Sequence, residues 1–448
     1  MSIEDFIKIN ELNKYNLCDF HLFFQENDIF IAKQPKNMNL EEYENKIFSY
    51  VKRKNPSAII FIDKIFLSLK APTLTYVVSE EDLRNYVNNK YNKQPFYTIG
   101  ITGSSGKSST CFFLYQMLRA LNKKVFLSCS LGIGEDSLEE NILTTPSHII
   151  LKQMLYKAVS CDFAIVEVSS HAIEQNRLDN INFDYGIYTM FNPDHLDFHK
   201  TIENYAATKY NFINNRIRKT KVIDVNLDIL DAIKVPSNKY FYQNEGFFIH
   251  KNEIKFSNKN LHKYHKDNIL KALSLLNEMN LNIINLNNTS LQLPAGRINY
   301  IGEYNGGDIY CDGAHSPFQV KLILESLFQK YKKIICVYGM AFHRILNDQE
   351  TGSFMGKYGM GIVTDDNPAG TNAKEIRQKL LKEDSSLIEI ENRFEAIKFG
   401  IQNLSSESCL LILGKSSETS NTIEYKDHTL YYNEVSIIGE ILNEIKNN

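Results

Sequence analysis

The sequence predicts a three-domain α/β protein with a phosphate-binding parallel sheet at its centre, and three observations carry that prediction. The chain of 448 residues is too long for one ordinary hydrophobic core. Its middle region alternates short apolar strand candidates with helical segments, and the last region repeats the alternation. Between them, one strand candidate runs straight into a glycine loop and a helix, the order in which backbone amides can be turned toward a phosphate.

The elements follow in chain order. Residues 1–94 are expected to form a compact N-terminal domain, ending in the polar stretch that closes with Lys93-Gln94-Pro95 before the apolar run Phe96 to Ile101. Residues 95–292 form the central domain, with strand candidates at Val125 to Leu127, Phe163 to Val168, Tyr185 to Thr189 and Lys221 to Val225. Pro294 and Gly296 punctuate the start of a third domain, 293–448, with strands near Ile309 to Cys311, Ile334 to Val337, Gly361 to Val363 and Leu410 to Leu413.

Charge and cysteine usage exclude several classes. Fifty basic residues against 53 acidic ones leave a net charge of -3, with no basic excess to hold a nucleic-acid backbone. Seven scattered cysteines form no Cys-x-x-Cys pair, so they read as reduced core residues. The first fifteen residues mix acids with lysines and lack the apolar core of a secretory signal, and no stretch approaches the ~20 apolar residues of a membrane span. A cytoplasmic monomer that engages neither membrane nor nucleic acid is expected.

Gly100-Ile101-Thr102-Gly103-Ser104-Ser105-Gly106-Lys107-Ser108 is the phosphate loop. Glycines let the chain curl so that N–H groups face phosphate oxygens, Lys107 neutralises charge, and Ser108 can ligate magnesium. Ile101 stands where the common pattern has its first glycine. Alone, the loop fits many kinases and NTPases. Downstream, Glu167 closes an apolar strand in Glu167-Val168-Ser169-Ser170-His171, placed to reach the same metal. Asn192-Pro193-Asp194-His195-Leu196-Asp197-Phe198-His199 then gathers metal-capable groups on one loop, although the segment in isolation reads equally as turn and capping residues.

Taken in order with Thr144-Thr145-Pro146 and Tyr205-Ala206-Ala207-Thr208-Lys209, these motifs resemble the Mur ligases, and most closely the members that add the third residue of the peptidoglycan stem peptide. The resemblance implies a central P-loop domain between a donor-binding N-terminal domain and a Rossmann-like C-terminal domain. It implies ATP held by Gly103, Ser104, Gly106, Lys107 and Ser108, with Asn268 on adenine, Arg297 near the phosphates and Asp312 on the ribose. It further implies two Mg²⁺ ions, one on Ser108 and Glu167 and one near His195 and Lys209, the lysine carrying a carbamate. Lys107, Glu167, His195 and Lys209 are the expected catalytic set. Thr144, Thr145, Ser169 and Arg177 are the expected contacts to the carboxylate donor.

That set suggests activation of a carboxylate as an acyl phosphate, followed by attack of an amine. By the same resemblance, Asp366, Asn367, Gly414 and Glu418 select the incoming amino acid. Diaminopimelate enzymes of the family read Asp-Asn-Pro-Arg where this chain reads Asp366-Asn367-Pro368-Ala369, and losing that bidentate arginine favours lysine or another amine with one carboxylate. Gly414-Lys415-Ser416-Ser417-Glu418 reads equally as a strand-to-helix turn. The N-terminal domain shows no Asp-Ser-Arg element for a uridine nucleotide, only a trace at Asp28 to Ala32, and Arg344 is the remnant of a further arginine motif. A UDP-N-acetylmuramoyl-dipeptide donor is therefore expected ahead of a carboxylate from specialised metabolism, with a kinase or a nucleotide-binding scaffold as readings of another class.

Overall fold

The computed structural model describes residues 2–33, 38–62, 73–139, 141, 143–224, 232–235, 238–258, 261–341, 350–368, 372–414, 421–424 and 429–447. Three sheets organise the molecule. Strands β1 (Leu17–Cys18), β2 (Ile29–Ala32), β3 (Ala58–Phe61) and β4 (Leu74–Val77) form a parallel sheet in that order. Apolar clusters lie on both faces, one around Ile7, Ile31 and Val87 and the other around Phe30, Phe48 and Phe61. Burial on two sides explains why these strands are apolar without alternation.

The central sheet contains β5 (Tyr97–Thr102), β6 (Val125–Cys129), β7 (Gly132–Gly134), β8 (Phe163–Glu167), β9 (Tyr185–Tyr188), β10 (Lys221–Asp224) and β11 (Ala232–Val235), in the spatial order β11-β10-β9-β5-β8-β6-β7. All neighbours are parallel except β7, which runs antiparallel to β6. From β5 the chain builds first to one side and later to the other. The carboxyl end of β5 is therefore the crevice where connections diverge, the usual ligand position in such sheets. Helix Lys107–Ala120 buries Phe113, Leu114, Met117 and Leu118 against one face, each such side chain contributing roughly 1.5–3 kcal/mol. The antiparallel hairpins β12 (Tyr240–Gln243), β13 (Gly246–Ile249) and β14 (Asn252–Lys255) join the same core, an addition that the sequence reading did not anticipate.

The last sheet comprises β15 (Asn299–Tyr304), β16 (Gly307–Asp312), β17 (Lys333–Tyr338), β18 (Gly359–Val363), β19 (Ile388–Glu389) and β20 (Ser408–Leu413), ordered β15-β16-β20-β17-β18-β19. Only β15 is antiparallel, and the sheet is again covered on both faces. Among the described residues no helix is long and apolar enough to cross a membrane.

The N-terminal sheet docks on the central domain through helix His148–Lys157, whose Ile149 and Ile150 enter the two N-terminal clusters. The Gln153 side chain accepts from Leu17 N–H at 3.0 Å and donates to Leu17 O at 2.6 Å. Its carboxamide thereby acts as a one-residue strand along the outer edge of β1.

Candidate functional site

Two glycines shape the phosphate loop. Gly103 and Gly106 take φ of +146° and +86°, and a Cβ on Gly106 would lie 2.5 Å from Asn268 Oδ1. Only glycine tolerates both the conformation and the approach. Helix Lys107–Ala120 starts directly from Gly106, so its first N–H groups point into the loop. The loop is held from behind: Ser104 N–H donates to Met190 O at 2.7 Å, Thr189 Oγ1 donates to Ser105 O at 2.5 Å, and Tyr205 donates to Ser104 Oγ at 3.0 Å. Lys107 Nζ meanwhile donates to Ser104 O at 3.0 Å.

Glu167 ends β8 beside the loop and is almost fully buried. Its Oε1 accepts from Ser108 Oγ at 3.0 Å, its Oε2 from Ser130 N–H at 2.8 Å, and its backbone oxygen from Thr145 Oγ1 at 2.7 Å. Ser108 and Glu167 thus present hard oxygen donors at one point beside a phosphate cradle, a donor set suited to Mg²⁺ with the remaining ligands coming from water and phosphate. Among the described residues no three His, Cys, Asp or Glu side chains form a metal cage.

These groups line a cavity of about 410 Å³ that also takes in Thr144, Thr145, Ser169, Arg177, Asp194 and His195 from the central domain. Thr145 Oγ1 bonds Ser169 Oγ at 3.2 Å, and Arg177 donates to Thr145 O at 2.6 Å. His195 adopts φ +52°, and its ring lies 5.0 Å from that of His171 and 6.1 Å from that of Tyr205. Burial depresses the pKa of His171, with Arg177 adding to the effect. Lys209 lies one turn beyond Tyr205, 1% exposed, with Nζ 4.8 Å from the centre of the Tyr205 ring. Burial, reinforced by the Lys107 charge, holds its amine well below the usual lysine range, against the pull of Asp194 and Glu167. Only a neutral amine can add CO₂, and a lowered pKa favours that form, so this position is chemically suited to a carbamate.

The third domain closes the far wall with Arg297, Asp312 and His315. Asp312 Oδ2 accepts from Ile298 N–H at 2.7 Å and Oδ1 from Ala314 N–H at 2.6 Å. Burial raises its pKa to about 6, with Arg297 and the two amides opposing. Arg297 also donates to Gly296 O at 2.8 Å. His265, buried in helix Lys263–Glu278, bonds the Arg297 carbonyl at 2.9 Å and so ties that helix to the interdomain linker.

Four expected contacts, Asn268, Asp366, Asn367 and Gly414, sit elsewhere than the cavity wall. Asn268 accepts from Thr110 Oγ1 at 3.1 Å and donates to Tyr264 O at 2.9 Å, which places it behind Gly106 as a support for the loop, while Tyr264 lines the cavity. Asp366, Asn367 and Gly414 lie at the carboxyl ends of β18 and β20, with Gly414 packed against Asp366 and Gly339. Glu418, Ala369 and Arg344 fall outside the described residues.

Asp19, just after β1 and outside the cavity lining, is a charged group close enough to feel Arg177 that sequence reasoning missed. It is half-buried, accepts the Ser147 hydroxyl hydrogen bond, and feels the positive charges of Lys33 and Arg177 while desolvation raises its pKa. A lone acid at the carboxyl end of a parallel strand was the available signal.

Residues 101–305 match the Mur ligase middle domain, and residues 296–416 match the Mur ligase glutamate ligase domain. The chain is 30% identical over 434 residues to a UDP-N-acetylmuramoyl-L-alanyl-D-glutamate–2,6-diaminopimelate ligase of Helicobacter pylori, covering 88% of this chain and 94% of that one. A Clostridium botulinum protein of the same name is 27% identical, covering 94% and 93%. Among solved structures, the chain superposes on the MurF ligase of Thermotoga maritima in complex with ADP with a TM-score of 0.64 at 17% identity, covering 90% and 94% of the two chains. The pseudomurein peptide ligase type C of Methanothermus fervidus gives 0.60 at 17%, covering 93% and 94%.

Proposed function

Because the chain belongs to the Mur ligase family and is an ATP-dependent, ADP-forming amide ligase, we propose that it joins an amino acid to the terminal carboxylate of UDP-N-acetylmuramoyl-dipeptide in the cytoplasm. One observation supports this reading above others. The phosphate loop, the Ser108–Glu167 pair and the Thr145–Arg177 corner all open on one cavity that Arg297 and Asp312 close from the next domain. A kinase could use the same groups, but it leaves the family match over residues 101–305 and 296–416 unexplained.

In this reading the loop amides and Lys107 hold the ATP phosphates, Arg297 approaches them from the third domain, and Asp312 takes the ribose. Thr144, Thr145, Ser169 and Arg177 orient the donor carboxylate for attack on the γ-phosphoryl group. Ser108 and Glu167 hold one Mg²⁺, with a second near His195 and a carbamate on Lys209. Bound Mg²⁺ supplies positive charge to the transferring phosphoryl group. The amine of the incoming amino acid then attacks the acyl carbon, and loss of its proton with expulsion of phosphate leaves the amide. Lys107 and Arg177, fixed before the reaction starts, offset the oxyanion charge without reorganising, the arrangement that lowers such barriers most.

For the amine, the relatives are named as diaminopimelate ligases, whereas Ala369 stands where the resemblance expects arginine. Arg377 does not replace it, because its guanidinium is already bonded to Asp365, Glu389 and Glu391. Lysine, or another amine with one carboxylate, is the proposed acceptor, selected at Asp366, Asn367 and Gly414 together with Glu418. The missing Asp-Ser-Arg element favours, as a second reading, a different donor carboxylate on the same machinery.

The deciding experiment incubates the protein with ATP, Mg²⁺ and UDP-N-acetylmuramoyl-dipeptide, adds lysine or diaminopimelate separately, and reads phosphate release with product mass. Lysine-dependent phosphate and the matching amide mass are expected. Turnover with diaminopimelate alone would overturn the acceptor assignment, and no turnover with either would move the donor to the second reading.

A further inference from the structure

A run of hydrogen bonds crosses the cavity from the third domain to the central one through a residue that none of the motifs contains. Gln319 lies in the first turn of helix Pro317–Phe328 and is half-buried on the cavity wall. Its Oε1 accepts from His315 N–H at 3.2 Å, and its Nε2 donates to Ser105 Oγ at 3.2 Å. Ser105 in turn donates to Asn192 Oδ1 at 3.2 Å, and Ser104 Oγ donates to Asn192 O at 2.8 Å. Asn192 and Ser105 are both buried, and Asn192 begins the loop that carries Asp194 and His195.

Each of these four bonds pairs a donor with an acceptor. One carboxamide thus connects the Asp312–Pro317 turn, the phosphate loop and the Asn192–His195 loop. The last two are already fixed to each other by the central sheet. The first belongs to a different sheet and reaches them across open space.

We propose that Gln319 is a positioning residue that clamps the third domain onto the phosphate loop and sets the register in which Arg297, Asp312 and His315 meet the bound nucleotide. The kinetic part of this inference rests on the ligase reading above, while the geometric part does not. ATP is gripped chiefly by the loop and Lys107, so loss of the clamp weakens the chemical step more than nucleotide capture. A misplacement of reacting groups by about 1 Å can cost up to ~100-fold. With the linker at Arg297 intact, about tenfold is expected.

The test uses Q319M, which preserves length and volume but neither donates nor accepts in the same way, alongside Q319A and S105A. Both Gln319 variants are expected to lower kcat about tenfold, to change KM for ATP by less than about threefold, and to leave the melting temperature unchanged. In the double variant S105A/Q319M the losses should be less than multiplicative, since both remove the Gln319–Ser105 bond. Wild-type kcat in Q319M, or fully multiplicative losses, would overturn the proposal. A dye pair spanning the central and third domains gives a second readout that requires no amide product. With a non-hydrolysable ATP analogue, Q319M should show a broader, longer distance distribution than wild type, and identical distributions would overturn the clamp even if the ligase reading failed.

Discussion

Replacing Lys209 by methionine separates a functional lysine from a structural one, because the two roles predict opposite signs. The side chain is 1% exposed, and burial holds its amine well below the ordinary lysine range. Keeping an ionisable group there costs the fold, and the Tyr205 ring 4.8 Å from Nζ offsets only part of that cost. Methionine fills nearly the same volume without a charge to desolvate. The fold should gain about 2 kcal/mol, or roughly 4–8 °C in melting temperature for a domain of 150–250 residues. Ligation should fall to background, since methionine can hold neither a carbamate nor a metal. Calorimetry on the purified variant measures the first quantity and ATP-dependent phosphate release the second. K209A, which leaves space, should recover part of its activity with millimolar acetate. A K209M protein that melts lower than wild type, or one that turns over normally, would refute the reasoning.

Lys107→Ala should abolish ligation with the melting temperature within about 1 °C of wild type, and normal turnover would remove Lys107 from the phosphate site. Gly106→Ala forces a Cβ within 2.5 Å of Asn268 Oδ1 at φ +86°, so a loss of about 1–3 kcal/mol and of nucleotide affinity is expected by calorimetry and analogue binding. Asp312 carries a pKa raised to about 6 by burial, above the ~4 of an unfolded carboxyl. Between pH 4 and 6 the folded state therefore holds the extra proton, and this group makes stability fall by about 3 kcal/mol as pH rises through that window. In D312N, which is less stable throughout because an amide loses its acceptor, the slope should vanish, and an unchanged slope would place the titration elsewhere.

How much was legible in the sequence depended on how local the controlling forces were. The phosphate loop reads directly, because a strand, positive-φ glycines and a helix start are contiguous, and β8 to Glu167 reads as an apolar strand buried on both faces. Asn268 shows the limit. Its spacing within helix Lys263–Glu278 is legible, but its position behind Gly106 arises from packing against Thr110, 158 residues earlier in sequence. Asp19 was missed for the same reason, since its partner Ser147 is 128 residues away. The β12 to β14 hairpins escaped notice because Phe247, Ile249 and Ile254 gain their burial from the central core rather than from a pattern of their own.

The pairing of Gln153 with Leu17 bears on whether the N-terminal sheet can exist as a separate unit. A parallel sheet ends in strands whose outward N–H and C=O groups seek partners, and nature commonly blunts such edges with charge, proline or a covering segment. Here the cover at Leu17 is a single borrowed amide from the neighbouring domain, backed by the Tyr91 hydroxyl on the same Gln153 oxygen at 3.1 Å. Cut away at residue 94, the sheet would expose this edge together with the apolar surface that Ile149 and Ile150 cover, and the fragment would associate with copies of itself before it could be studied as a donor-binding module.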